Sequence, residues 1–202
     1  MTRVKRGWRA GMLVAGLAAL LVAAGSSEAA IVTGNCDTGF SINAALATLD
    51  RVGPHTIEVT GTCREQVLID QRDRVTIQGP VGGTATIVFP ATGGAPVLGV
   101  VLIQRSRAIL LRQLVIDGAS RAQRGVLIAF GSEAQILGSR VENNTGAGVF
   151  VTLNSLAALG GNQATLGVAL TNNRNQGAIS TGGGAFLLIQ GFTTIENNGR
   201  AV

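Results

Sequence analysis

Four residues in this 202-residue chain have the types and spacing for chemistry on a charged ligand: Arg112, Asp117, Arg140 and Glu142. Two carboxylates held close together can ligate a hard cation such as calcium through oxygen. A guanidinium beside them can grip a uronate carboxylate through two parallel hydrogen bonds. Two carboxyls at a defined separation are also what glycoside hydrolysis requires. A plainer role is open to the same residues. Asp117 and Glu142 belong to the polar series Gln78, Asp117, Glu142, Thr171 and Glu196, each following an aliphatic or alternating strand-like residue. Such a series solvates the outer wall of a sheet, and a slip of one residue in register would reverse its face. The lone histidine, His55, follows Pro54 and has no acid or serine in a known catalytic spacing, so it reads as a turn residue. Gly182-Gly183-Gly184 lacks a following lysine or helix and reads as a turn, not a phosphate loop.

The elements that would position these residues are short strands in an internal repeat. Gly99 is followed seven residues later by Ser106, and the pattern recurs at Gly125/Ser132, at Gly148/Ser155 and, more weakly, at Gly177/Gly184. A second strand trails each copy and ends on Gly or Asn: Leu114–Gly118, Arg140–Asn144, Ala169–Asn173 and Thr194–Asn198, with Val75–Gly79 as an earlier copy. A repeat of this length built from short strands predicts a solenoid of stacked turns. Alternation then places Ile77, Ile116, Val141, Leu170 and Ile195 in one interior column. Gly79, Gly118, Asn143, Asn172 and Asn197 form a column at a sharp corner, because both residue types tolerate left-handed backbone. Stacked asparagines can hydrogen-bond along such a column. One helix is predicted over 41–50, with Ser41 as N-cap, Ile42, Ala45, Leu46 and Leu49 on one face, and Gly53-Pro54 as the stop.

Composition narrows the functions. Residues 1–29 carry Arg3, Lys5, Arg6 and Arg9, then an apolar run from Gly11 to Ala24, then Ser27-Glu28-Ala29. This is the pattern of a secretory signal cut after Ala29; the run is too short to span a bilayer comfortably, although an uncleaved anchor is the rival reading. Twelve arginines against ten acids remain after residue 29, with no lysine, tryptophan or methionine. That balance offers no basic field for nucleic acid, and one histidine offers no multi-histidine metal site. Export predicts that Cys36 and Cys63 are bonded to each other; a reactive thiol or metal pair is the alternative. The six phenylalanines, Phe40, Phe89, Phe130, Phe150, Phe186 and Phe192, are expected to fill the interior. Arg105, Arg107, Arg112, Arg121 and Arg124 offer a basic patch for acidic polysaccharide, or are isolated surface arginines.

The segment Cys36…Ser41-Ile42…Ile57-Glu58-Val59-Thr60-Gly61-Thr62-Cys63-Arg64-Glu65 resembles the opening of bacterial right-handed parallel β-helix repeat proteins of the pectate-lyase-like superfamily. The Gly-Val strands and Glu-Asn-Asn corners are similar to the same family, so the resemblance covers residues 36–202. It implies an all-β right-handed parallel β-helix with an N-terminal capping helix, occupying residues 30–202 after a signal peptide at 1–29. The helix can cover the first end of such a solenoid, whereas Arg200-Ala201-Val202 after Gly199 reads as the start of another strand, so the expectation is a chain lacking its C-terminal turns or cap, or one that self-associates there. For function, the leader, the solenoid and the thin chemistry point to an exported scaffold or binding protein, secreted or periplasmic, with no identifiable catalytic site, contacting polysaccharide and touching the membrane only through its signal peptide. The alternative is a polysaccharide lyase or related carbohydrate-active enzyme on acidic glycans, with Asp117, Glu142, Arg140 and Arg112 as its site. No cofactor is expected, apart from calcium under that alternative. N-terminal sequencing of the exported protein is predicted to begin at Ala30; retention of residues 1–29 would contradict the leader.

Overall fold

An inward-facing aliphatic side chain on a narrow sheet needs apolar neighbours directly above and below it. Parallel pairing in register supplies them. The computed structural model describes residues 29–81, 83, 85–91 and 98–199. Most of the expected leader, residues 1–28, and residues 200–202 lie outside the described residues.

Three parallel sheets form the walls of a β-solenoid of about six turns. The first wall holds β1 (Ala30–Asn35), β2 (Val52–Thr60), β5 (Asp73–Gln78), β8 (Ile109–Arg112), β11 (Glu133–Leu137), β14 (Leu156–Leu159) and β17 (Phe186–Ile189) in that order. The second holds β3 (Thr62–Arg64), β6 (Ala85–Val88), β9 (Leu114–Asp117), β12 (Arg140–Glu142), β15 (Ala169–Thr171) and β18 (Thr194–Glu196). The third holds β4 (Val67–Asp70), β7 (Val101–Gln104), β10 (Arg124–Ala129), β13 (Ala147–Thr152) and β16 (Ala178–Thr181). The chain visits the walls in rotation, so every third strand pairs with its predecessor. Short β-branched strands separated by corner residues fold this way because no one strand buries enough alone.

The interior is a stack of aliphatic columns. Ile116 stands over Val141, Val141 over Leu170, and Leu170 over Ile195, as the repeat predicts. The residue above Ile116 is Ile87, with Cys63 above that. Ile77 belongs to another column, Ile57–Ile77–Leu111–Ile136–Leu159, on the first wall. Gln78 and Gly79 therefore leave the predicted outer and corner columns too. The reason is that each turn has three strands, and β5 and β6 both end in a similar strand-like pattern. Likewise Val100, not Gly99, stands over Gly125. The phenylalanines do not fill the interior. Only Phe89 is buried; Phe40 and Phe150 are half-buried, and Phe130, Phe186 and Phe192 are exposed. Branched aliphatics fit a bore between sheets about 10 Å apart and leave no room for stacked rings. His55 is not a turn residue. It points into the interior between Ala30 and Val75, 3% exposed, and neither ring nitrogen has a hydrogen-bond partner among the described residues.

The helix caps the first turn, but it is not the first element. β1 precedes it and pairs with β2. The helix α1 (Ile42–Thr48) takes the place of a third-wall strand, above β4, and buries Ile42, Ala45 and Leu46. It ends before Leu49, and Gly53-Pro54 lie inside β2, where the pairing with β5 shifts register between Val52 and His55. A Cβ at Gly53 would stand 2.3 Å from the Arg74 carbonyl oxygen, so only glycine passes there. Pro54 precedes the stretch of β2 that pairs with β1, so its missing N–H leaves no gap there.

Both ends of α1 are held by residues flanking β4. The Glu65 carboxylate accepts from the backbone N–H of Ile42 (2.7 Å) and Asn43 (3.2 Å) and from Ser41 Oγ (2.9 Å). The Arg72 guanidinium donates to the carbonyls of Leu46 (2.6 Å), Leu49 (2.6 Å) and Asp50 (3.0 Å). An anion at the N-terminus and a cation at the C-terminus both complement the helix dipole. Asn43 closes the edge of β4: its Nδ2 donates to the Gln66 carbonyl (2.7 Å) and its Oδ1 accepts from the Leu68 N–H (2.9 Å). The Cys36–Cys63 disulfide ties the 3-10 turn Cys36–Thr38 to β3, closing a separation of 27 residues. Such a loop stabilises by about 3–4 kcal/mol in the chain-entropy account. Glu65→Ala and Arg72→Ala are each predicted to lower the unfolding free energy by about 2–3 kcal/mol, read by urea denaturation. A loss below about 0.5 kcal/mol, the level of an ordinary surface substitution, would contradict this role for the pair.

Candidate functional site

Three of the four chemical candidates, Asp117, Glu142 and Arg140, come together on the second wall, and Arg112 stands apart on the first. Glu142 stands directly under Asp117 on the outer face of the second wall, so the two carboxylates are neighbours on adjacent turns. Each is engaged in holding the fold. Asp117 Oδ1 accepts from the Ala119 N–H (2.8 Å) and from Asn143 Nδ2 (3.1 Å), an Asx-type turn that shapes the following corner. Glu142 accepts from Arg140 Nε at 2.8 Å, two residues away on its own strand, and from Thr171 Oγ1 at 3.5 Å. Glu196 continues the column below Thr171. Arg112 is on the first wall, at the end of β8, with Gln78 above it and Leu137 below. A cavity of 380 Å³ beside Arg140 is lined by Ser139, Ala164, Thr165, Val168 and Phe192 among others, and by no acid. No group of three or more His, Cys, Asp or Glu suited to a metal occurs among the described residues.

The predicted corner column exists over part of its length, and its second residues carry the bonding. Gly118, Asn143, Asn172 and Asn197 are aligned through the pairing of β9, β12, β15 and β18. The three asparagines have φ near 55°, and Gly118 is not left-handed. The hydrogen-bonded ladder is formed by the next residue in each turn. Asn144 donates through Nδ2 (2.7 Å) and backbone N–H (3.4 Å) to Asn173 Oδ1. Asn173 donates through Nδ2 and N–H, both at 2.9 Å, to Asn198 Oδ1. The left-handed residue reverses the side-chain direction, so the one after it points inward. A Cβ at Gly125 would stand 2.9 Å from Asn144 Nδ2, and one at Gly148 2.8 Å from Asn173 Nδ2. Closer still are Val141 Cγ1 at 2.1 Å from a Cβ at Gly125 and the Gly177 carbonyl oxygen at 2.5 Å from one at Gly148, so core packing, the neighbouring backbone and the ladder together leave room only for glycine.

A second ladder runs down the opposite corner. Ser106 Oγ accepts from the Arg72 N–H (3.0 Å), Ser132 Oγ from the Ser106 N–H (3.2 Å) and Ser155 Oγ from the Ser132 N–H (3.1 Å). This accounts for the serine seven residues into each repeat. The weak fourth copy has Ala185, not Gly184, at this position.

A recessed surface also lies on the first wall. A cavity of 520 Å³ is lined by Thr33, Glu58, Thr60, Gln78, Pro80 and Val81 among others. Glu58 and Gln78 are vertical neighbours, and Gln78 Nε2 donates to Glu58 Oε1 at 2.9 Å. Arg112 comes next in the column. It is half-buried, its Nε has no hydrogen-bond partner, and its guanidinium forms no ion pair among the described residues. Acid, amide and guanidinium thus stand in line down the first wall, the first two lining the groove. The repeated context Thr56-Ile57-Glu58 and Thr76-Ile77-Gln78 carries this alignment in the sequence.

The remaining arginines are dispersed. Arg105 pairs with Asp70 at 2.7 Å, Arg121 donates to the Ala91 carbonyl, and Arg124 lies 4.1 Å from the Phe150 ring centroid. Burial lowers the Arg124 pKa below its ordinary value. Comparisons with protein-family models, with curated proteins and with solved structures find no match. No helix among the described residues is long and apolar enough to cross a membrane. Asn173→Ala is predicted to lower stability by about 1–3 kcal/mol through the groups it strands. Asn172→Gly, which keeps the left-handed corner, is predicted to change it by no more than about 0.5 kcal/mol. Thermal unfolding of the two variants checks the pair.

Proposed function

We propose that this chain is an exported, non-catalytic binding scaffold of the pectate-lyase-like β-helix kind. Its ligand is an acidic polysaccharide lying along the first wall. The observation that carries this reading is Arg112: a half-buried guanidinium without an anionic partner among the described residues, directly below the Glu58–Gln78 pair that lines the 520 Å³ groove. A guanidinium so placed is ready to take a carboxylate from outside through charge-assisted hydrogen bonds. Gln78 and Thr33 add groups able to meet sugar hydroxyls. Export is supported by the leader pattern and by the Cys36–Cys63 bond, which suits a non-reducing compartment. The structural engagement of Asp117 and Glu142 supports the non-catalytic part of the reading.

Isothermal titration with polygalacturonate, in the presence of calcium, and with a neutral glucan of similar length tests it. Binding of the acidic polymer alone is expected, weakened about tenfold by Arg112→Ala, or about 1.4 kcal/mol. Equal binding of the neutral glucan, or indifference to Arg112→Ala, would contradict the reading. The same samples, followed by the absorbance of unsaturated products, distinguish the enzyme alternative. Turnover abolished by Asp117→Ala or Glu142→Ala would make the chain a lyase.

A further inference from the structure

The corners that lead from the second wall into the third surround a cavity of 290 Å³. Three successive turns contribute to it, through Gln123 and Arg124, Thr145 to Ala147, and Asn175 and Gln176. Ala147 pairs directly below Arg124 and is buried, so the recess has a small residue where a longer side chain would fill it. A Cβ at Gly146 would stand 2.3 Å from the Gln123 carbonyl oxygen, so that position is held to glycine. The Arg124 guanidinium lies over the Phe150 ring, 4.1 Å from its centroid. Stacking fixes the plane of the group and leaves its N–H donors, which point outward in that plane, to other partners. Those donors make no hydrogen bond or ion pair among the described residues. The side-chain amides of Gln123, Asn175 and Gln176 make none among them either, unlike the committed corner amides of Asn43, Asn144 and Asn173. No described carboxylate lines the cavity. Burial lowers the Arg124 pKa by thinning the water around the charge, which an anion can replace.

We propose that this recess binds a small hydroxylated monocarboxylate, a free sugar acid, with Arg124 taking the carboxylate and the three amides taking the hydroxyls. A guanidinium presents two parallel N–H donors that match the two oxygens of a planar carboxylate. One positive charge balances one negative charge; a dianionic phosphate or sulfate would keep a charge uncompensated in the recess. A hydroxyl both donates and accepts, and so does a primary amide. Three uncommitted amides around one cation therefore favour a polyhydroxylated acid over a simple one. The volume of 290 Å³ lies at the lower end of the range of about 300–1,000 Å³ for small-molecule sites. It holds one small molecule and no run of polymer. As a mere cover for Phe150, Arg124 would need only its aliphatic stem, which lysine supplies equally well. The site is separate from the first-wall groove: Arg112 stands on the first wall and Arg124 on the third.

Titration of the isotope-labelled protein with D-gluconate, followed by NMR, tests this over about 0.1–10 mM, a range bracketing millimolar affinities. Saturable shifts are expected at the Arg124 Nε–H and at the backbone amides of Gly146 and Gln176. Sorbitol, which lacks the carboxylate, and acetate, which lacks the hydroxyls, are each expected to bind about tenfold more weakly or less. Arg124→Lys keeps the charge and the stem over Phe150 but loses the paired donors; it is expected to weaken gluconate about tenfold while the melting temperature stays unchanged. Asn175→Ala, at an exposed position, is expected to weaken gluconate and leave acetate as it was. Arg112→Ala is expected to leave gluconate binding intact, so this site and the first-wall groove stand or fall separately. The absence of saturable shifts in the unaltered protein would overturn the proposal. So would acetate or sulfate binding as tightly as gluconate, or gluconate binding indifferent to both Arg124→Lys and Asn175→Ala.

Discussion

At two corners of this solenoid a run of buried peptides leaves its sheet, and their N–H groups are met by side chains from the turn below. The side chains are those of Asn173 and Asn198 at one corner and of Ser106, Ser132 and Ser155 at the other. A buried donor left unmet costs about 1–3 kcal/mol, so each corner residue is fixed by the turn above it. The ladder also crowds the glycines: at Gly125 and Gly148 a Cβ would meet Val141 Cγ1 or the next turn's backbone first, and the asparagine amide beside them. Where the ladder stops, the accounting shows it: Asn144 Oδ1 has no partner among the described residues, since Ala119 stands in the turn above where another asparagine would be.

The same logic separates the two ends. A solenoid has no natural finish, because each turn exposes edges and a bore that only another layer can cover. At the upper end Glu65 and Arg72 reach up from either side of β4 to hold a short helix in place of a strand. Asn43 mimics a neighbouring strand for β4. A seven-residue helix is too short to be stable alone, so α1 exists because β4 and its flanking charges exist. Among the described residues, Leu187, Ile189 and Ile195 stand lowest in their columns.

Much of this was legible in the sequence. The alternation around Ile116, Val141 and Leu170, with glycine and asparagine at regular intervals, requires stacked strands, and those residues do stand in register. Ser41 and the apolar face at Ile42, Ala45 and Leu46 mark the helix correctly. The first wall of each turn was harder to read. β5 and β6 both look like strands that precede a bend, so Ile77 and Gly79 fall naturally but wrongly beside Ile116 and Gly118. In a pair such as Asn143-Asn144, two identical residues take opposite roles, one setting the left-handed corner and the other bonding inward. Residue type alone cannot assign them. The Glu58–Gln78–Arg112 line was missed because three different side chains do not look like a repeat until pairing places them one above another.

Function on such a framework is carried by the outer faces, where the corner requirement leaves side chains free. Acids already committed to turns, such as Asp117, have little left for a ligand; Arg112 has no such commitment. The ladder itself is the part most directly open to measurement. Hydrogen exchange of side-chain amides, followed by NMR on the native protein, compares Asn144 and Asn173 with Asn172, the unbonded corner residue. Vertical stacking predicts that the first two exchange only through global unfolding, while Asn172 exchanges rapidly. Equal, fast exchange at all three positions would contradict it.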